Sequence, residues 1–166
     1  MRFTTREDIE VPIAEVFAAL TDFDRFEREA LRRGAAVDRG GDVASPGPGR
    51  HWVLRFRHRG RVRELSTGID AWDPPRAFST WGRIGAFEGR IVLDLTALSP
   101  RRTRLRVDLE VKPRSLTARL MLQSLKLAKA SLSGRFRARF HGFARQLEQR
   151  HQTPAGRDQR LRGSAG

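Results

Sequence analysis

A two-layer α+β fold, in which an antiparallel sheet carries its helices on one side, is what this sequence predicts. Three observations carry that reading. Residues 51–113 run as alternating apolar and polar segments parted by turn residues, the period of two that marks half-buried strands. One more alternating segment and two short helical patterns precede them, and a long segment with an apolar stripe at helical spacing closes the chain. Successive antiparallel strands with segregated helices give α+β rather than α/β. At 166 residues the chain fits one domain, large enough to bury a core without a disulfide or metal staple.

Phe3, Thr5, Glu7, Ile9 and Val11 alternate with Arg2, Thr4, Arg6, Asp8 and Glu10 in the first strand. Pro12 stands where the first turn of a helix tolerates it, and Val16, Phe17 and Leu20 supply a short apolar stripe. Asp24 followed by Glu27 has the form of a capping box for a second helix, which Gly34 would end. Residues 40–49 are a loop by composition, rich in Gly and Pro.

Trp52, Leu54, Phe56 and His58 share one face of the next strand. Val62 to Trp72 reads as another whose inward face is ambiguous, and Asp73-Pro74-Pro75 breaks it. Ala77 to Ile84 carries Phe78 and Trp81, and Ile91, Leu93, Leu95 and Ala97 face one side of the strand after it. Leu105, Val107, Leu109 and Val111 then alternate with Arg104, Arg106, Asp108, Glu110 and Lys112. One face solvated and one buried is the natural consequence.

Pro113 ends that strand and Ser115 can cap a helix beginning at Leu116. One long helix is expected from Leu116 to about Gln149, with Leu125, Leu132, Phe136, Phe140, Phe143 and Leu147 on its buried stripe. Gly134 is the expected place for a kink. Residues 1–150 would form the domain, and 151–166, which lack periodicity, read as a disordered tail.

With these elements in this order, the chain resembles the START/SRPBCC superfamily, which includes bacterial polyketide cyclases, coenzyme Q-binding START proteins and the birch-pollen allergen. Ile9-Glu10-Val11-Pro12-Ile13-Ala14-Glu15-Val16-Phe17 is similar to that family's first strand running into a Pro-started helix. Leu20-Thr21-Asp22-Phe23-Asp24-Arg25-Phe26 resembles its second short helix, and Trp72-Asp73-Pro74-Pro75-Arg76 its Asp-Pro-Pro-basic turn. The long last helix completes the set over residues 1–150. The resemblance implies a helix-grip fold, a curved sheet of about seven strands holding the last helix over a cavity for a hydrophobic ligand. It does not choose a function, because this fold hosts carriers, cyclases, hydrolases and regulators.

Most reactive constellations are missing from the string. There is no cysteine, which removes thiolate catalysis and cysteine-ligated zinc. His51, His58, His141 and His151 make no His-Glu-x-x-His pattern, so neither a metal nor another cofactor is expected. No Gly-x-Ser-x-Gly elbow and no phosphate-binding loop occur.

One pair of titratable groups is left, His58 beside Trp52, Leu54 and Phe56, and Glu7 beside Phe3, Ile9 and Val11. If both faced one cavity they would be placed for general acid–base work. The alternative is two solvated strand-end residues. Candidate cavity walls are Trp52, Phe56, Phe78, Trp81, Phe87, Leu93, Leu120, Met121 and Leu125. Arg83 is the candidate for an anionic head group, or else a surface arginine stacked on Trp81.

The net charge of +14, from 33 Lys+Arg against 19 Asp+Glu, would attract a polyanion or an anionic membrane surface. Nearly all of it is arginine spread along the chain, and no aromatic platform for single strands is visible, so nucleic acid is not the expected partner. The N-terminal residues hold no apolar run of a signal sequence and no segment is apolar enough to span a membrane, so a cytoplasmic location is expected. Binding or transport of a hydrophobic small molecule is the leading reading. A cyclase, dehydratase or hydrolase using the same cavity, and a module docking through its Arg-rich face, stay open beside it.

Overall fold

The structure is a computed structural model that describes residues 1–41, 44 and 46–153. Strand β1 (Arg2–Ile9) leads into helices α1 (Ile13–Leu20) and α2 (Phe23–Arg32). Strands β2 (Ala36–Gly40), β3 (His51–His58), β4 (Arg61–Asp73), β5 (Ala77–Ile84), β6 (Phe87–Ser99) and β7 (Arg102–Pro113) come next. The chain closes with α3 (Leu116–Leu125), a 3-10 turn (Lys126–Ala128) and α4 (Lys129–Gln152). All neighbours in the sheet pair antiparallel, in the order β1-β7-β6-β5-β4-β3-β2. The first strand therefore lies beside the last, and every hairpin partner lies beside its sequence neighbour.

The core forms where the helices cover the inner face. Ile9, Val11, Val16, Leu105 and Val107 are fully buried there, between α1 and the β1–β7 half of the sheet. From α4, Phe136, Phe140, Phe143 and Leu147 pack onto that core, and Phe136 meets Phe3 with ring centroids 5.9 Å apart. Each such side chain contributes about 2 kcal/mol when buried, enough to hold α4 across the sheet edge.

The outer face is a lattice of ions. Arg104 donates to both oxygens of Asp8 at 2.8 and 3.0 Å, and Arg90 lies 2.6 Å from Asp70. Hydrogen bonding to Arg104 holds the Asp8 carboxyl below its usual value, against the opposing effect of burial. The Thr4 hydroxyl, then Arg106, do the same for Asp108.

Several local expectations need correction. The last helical segment is not one helix. It breaks at Lys126–Ala128, whereas Gly134 lies inside α4. The cap of α2 is Asp22, whose side chain accepts from the Arg25 N–H at 3.0 Å. Asp24 lies in the first turn, and Glu27 bonds elsewhere. Gly34, at φ +88°, does end that helix.

Strand β4 contains a bulge between Ile69 and Ala71, which lets Ile69 and Trp72 both turn inward although three residues apart. That irregularity is the reason its inward face could not be read from a period of two. Strand β2 has no alternation of its own and is formed by pairing with β3. Residues 42, 43 and 45 of the expected loop, and 154–166 of the expected tail, lie outside the described residues.

Candidate ligand-binding groove

Cover is uneven along the inner face. Over β3, β4, β5 and the neighbouring stretch of β6, the inward side chains Leu54, Leu65, Thr80 and Ile91 are only half-buried. They floor a groove of three joined hollows of about 280, 270 and 520 Å³. The inner hollow runs under α2 beside Trp52, Phe78 and Leu93. The middle one shares Leu65, Thr67, Thr80 and Ile91 with it. The outer one shares Ile84 and Phe87 with the middle and opens between the β3–β4 hairpin and α3. Hollows of this size and apolar lining are the usual form of small-molecule sites.

Register builds the floor. Leu54 pairs with Leu65, Ile69 with Thr80, and Thr80 with Ile91, so alternate residues of four strands present one apolar surface. At the inner end the indole N–H of Trp52 donates to Glu27 Oε1, while Arg39 Nε donates to Oε2 at 2.6 Å. Glu27 is buried and both oxygens are engaged, so it clamps α2 to β2 and β3 rather than offering a free base. The Arg50 guanidinium stacks over Trp52 and Phe23 at 5.1 and 5.7 Å, which fixes the indole as a wall.

Polar groups gather at the other end. His58 and Arg63 stand on the rim of the outer hollow, with Phe56, Phe87 and Met121 behind them. His58 is six residues along β3 from Trp52, about 20 Å at strand rise. Among the described residues lining the groove, no histidine therefore stands beside the Glu27 carboxylate.

This arrangement matches known proteins in sequence and in shape. The sequence model of the family described as polyketide cyclase / dehydrase and lipid transport matches residues 1–148. The chain belongs to this family. No curated protein matches it.

Among solved structures, the chain is similar to the Zhui aromatase/cyclase from Streptomyces sp. R1128, at 14% identity and a TM-score of 0.64, covering 94% of this chain and 98% of that one. It is also similar to a conserved protein from Geobacillus kaustophilus, at 12% identity and 0.62, covering 90% and 97%. Ara h 8.0201 matches at 15% identity and 0.54, covering 77% and 91%. These likenesses show the helix-grip fold for this member of the polyketide cyclase/dehydrase and lipid transport family.

The expected site residues of this family member fall into separate places. Trp52, Phe78 and Leu93 line the inner hollow, and Phe56, His58, Phe87 and Met121 the outer one. Trp81 borders the middle hollow, but its ring turns to the outer face, where it lies against Gly68 and under the Arg83 guanidinium at 5.6 Å. Arg83 stands outside the groove. Phe78 and Trp81 are three residues apart on a regular strand, so only one of them can face inward.

Leu120 and Leu125 are exposed on α3 and do not line the groove. Glu7 is on β1, five strand positions from β3, about 24 Å along the sheet. It meets His141 of α4 at 3.1 Å instead of His58. Leu65, Thr80 and Ile91 were not expected in the groove from sequence; the strand register brings them together. Nor was Glu27 expected there, since its partners lie on strands distant along the chain.

Proposed function

We propose that this protein binds a hydrophobic small molecule along the inner groove, its apolar body on Leu54, Leu65, Thr80 and Ile91 and a polar end toward His58 and Arg63. The observation that carries this reading is the largely apolar stretch of inward-facing side chains that stays half-open to solvent beyond the reach of α4. Such a surface is costly to leave in water and is satisfied by an apolar ligand. The family description, which includes lipid transport, supports the same class of ligand.

A cyclase- or dehydratase-type reaction in the same groove draws its support from the other half of that description. It would have to work through His58 at the outer rim, since Glu27 is held by Trp52 and Arg39. His58→Ala separates the two readings: an enzyme loses rate with its ligand affinity kept, whereas a binding protein has no rate to lose.

Organic extraction of natively purified protein, followed by mass spectrometry, tests the binding reading. The expected result is a stoichiometric apolar molecule in the wild type that is missing from Thr80→Trp, whose new ring would fill the middle hollow. An extract equal to a blank, with no gain in thermal stability on adding lipids or quinones, would overturn it.

A further inference from the structure

We propose that the α3 segment docks this protein on the surface of an anionic lipid membrane. Successive helical residues are about 100° apart, so Leu116 and Leu120 stand on the side of α3 opposite Ala118 and Leu122. Ala118 is buried against the sheet, while Leu116 and Leu120 are 76% and 65% exposed. Leu127, in the 3-10 turn after α3, is 95% exposed. One short segment thus carries two apolar faces and only one of them has a partner. Exposed leucines concentrated in this way mark an interaction surface.

The charge along the same stretch of chain selects the occupant. From Val111 to Leu147 the sequence has nine Lys and Arg and no Asp or Glu. Arg119, Lys126, Lys129, Arg135, Arg137, Arg139 and Arg145 are all exposed. Among the described residues none of these seven pairs with a carboxylate, unlike the arginines of the outer sheet face. Leucines that reach out of a field of unpaired cations fit the interface of a bilayer, where apolar side chains enter the acyl boundary and the cations meet anionic head groups.

A second copy of the chain would bring these like charges together, which opposes self-association. A nucleic acid would gain nothing from the leucines. No helix of the described residues is long and apolar enough to cross a membrane, so the contact is peripheral. Met121, Thr117 and Ala118 of the same helix line the outer hollow, which puts the mouth of the groove beside the docking helix. The docking itself does not depend on what the groove holds.

Sedimentation with phosphatidylcholine vesicles, with and without phosphatidylglycerol, tests the proposal. Wild type is expected to pellet with the anionic vesicles, less so as salt is raised, and not with phosphatidylcholine alone. Leu120→Glu/Leu127→Glu should lose about tenfold in affinity for each leucine removed from the lipid, with an unchanged thermal melt because both side chains are exposed. Since the chain has no cysteine, a dye on Leu127→Cys reports this position alone. Its emission should shift to the blue on anionic vesicles, while a dye on Thr96→Cys, about 30 Å along β6 from Phe87, should not move.

Three results overturn the proposal. The first is no pelleting with anionic vesicles. The second is pelleting that the double variant and the dye do not register, which would place the contact elsewhere. The third is a dimer in light scattering that the double variant dissolves.

Discussion

The two halves of the sheet are made alike and finished differently. On β1 and β7 the inward residues Ile9, Leu105 and Val107 lie under α1 and α4 with no exposure at all. On β3 and β4 the inward residues Leu54 and Leu65 have the same chemistry and stay half-open to solvent. Alternation decides which way a side chain points, and a helix from elsewhere in the chain decides whether it is covered. The groove is the part of the inner face that α4 does not reach.

That contrast can be broken at single residues. Leu105→Ala, in the covered half, should cost about 2–5 kcal/mol, because it leaves a cavity that close-packed neighbours cannot fill. Denaturant unfolding measures it, and the effect should be the largest of the set. Glu27→Ala frees the Trp52 indole N–H and Arg39 from their shared acceptor. It should cost about 1–3 kcal/mol and loosen the inner wall, seen as a red shift of tryptophan emission.

Leu65→Ala sharpens the comparison from the other side. Removing a half-exposed leucine should cost about 1 kcal/mol of stability, yet weaken binding of a hydrophobic probe by about tenfold. Leu105→Ala should leave probe affinity unchanged as long as the protein is folded.

The smallest effect concerns the outer face. Asp8 titrates below its unfolded value because Arg104 stabilises its charged form. Its contribution is therefore fully present above the unfolded carboxylate value of about 3.9 and is lost as pH falls through the folded one. In Asp8→Asn, acid titrations of stability should show a shallower decline below that range than in wild type.

Much of the fold was legible from local chemistry. Pro12 before Val16 and Phe17 located α1, the clean alternation from Arg104 to Lys112 located β7, and Asp73-Pro74-Pro75 placed the turn between β4 and β5. The break at Lys126–Ala128 was not legible, because Leu125 and Leu127 are as helical in type as their neighbours. Nor was the turning of the Trp81 ring to the outer face, although its spacing from Phe78 held the signal. Whether the cavity was open depended on cover, and cover depends on contacts between residues distant in sequence. Leu54 and Leu105 look the same in a string.

Titration with a hydrophobic fluorescent probe, wild type against Thr80→Trp, puts the central claim to its most direct test. Saturable, stoichiometric binding to the wild type that Thr80→Trp abolishes, with the fold intact by circular dichroism, is the result expected of a groove that takes a ligand. No saturable binding, or binding indifferent to Thr80→Trp, would contradict it and return this surface to ordinary half-covered sheet.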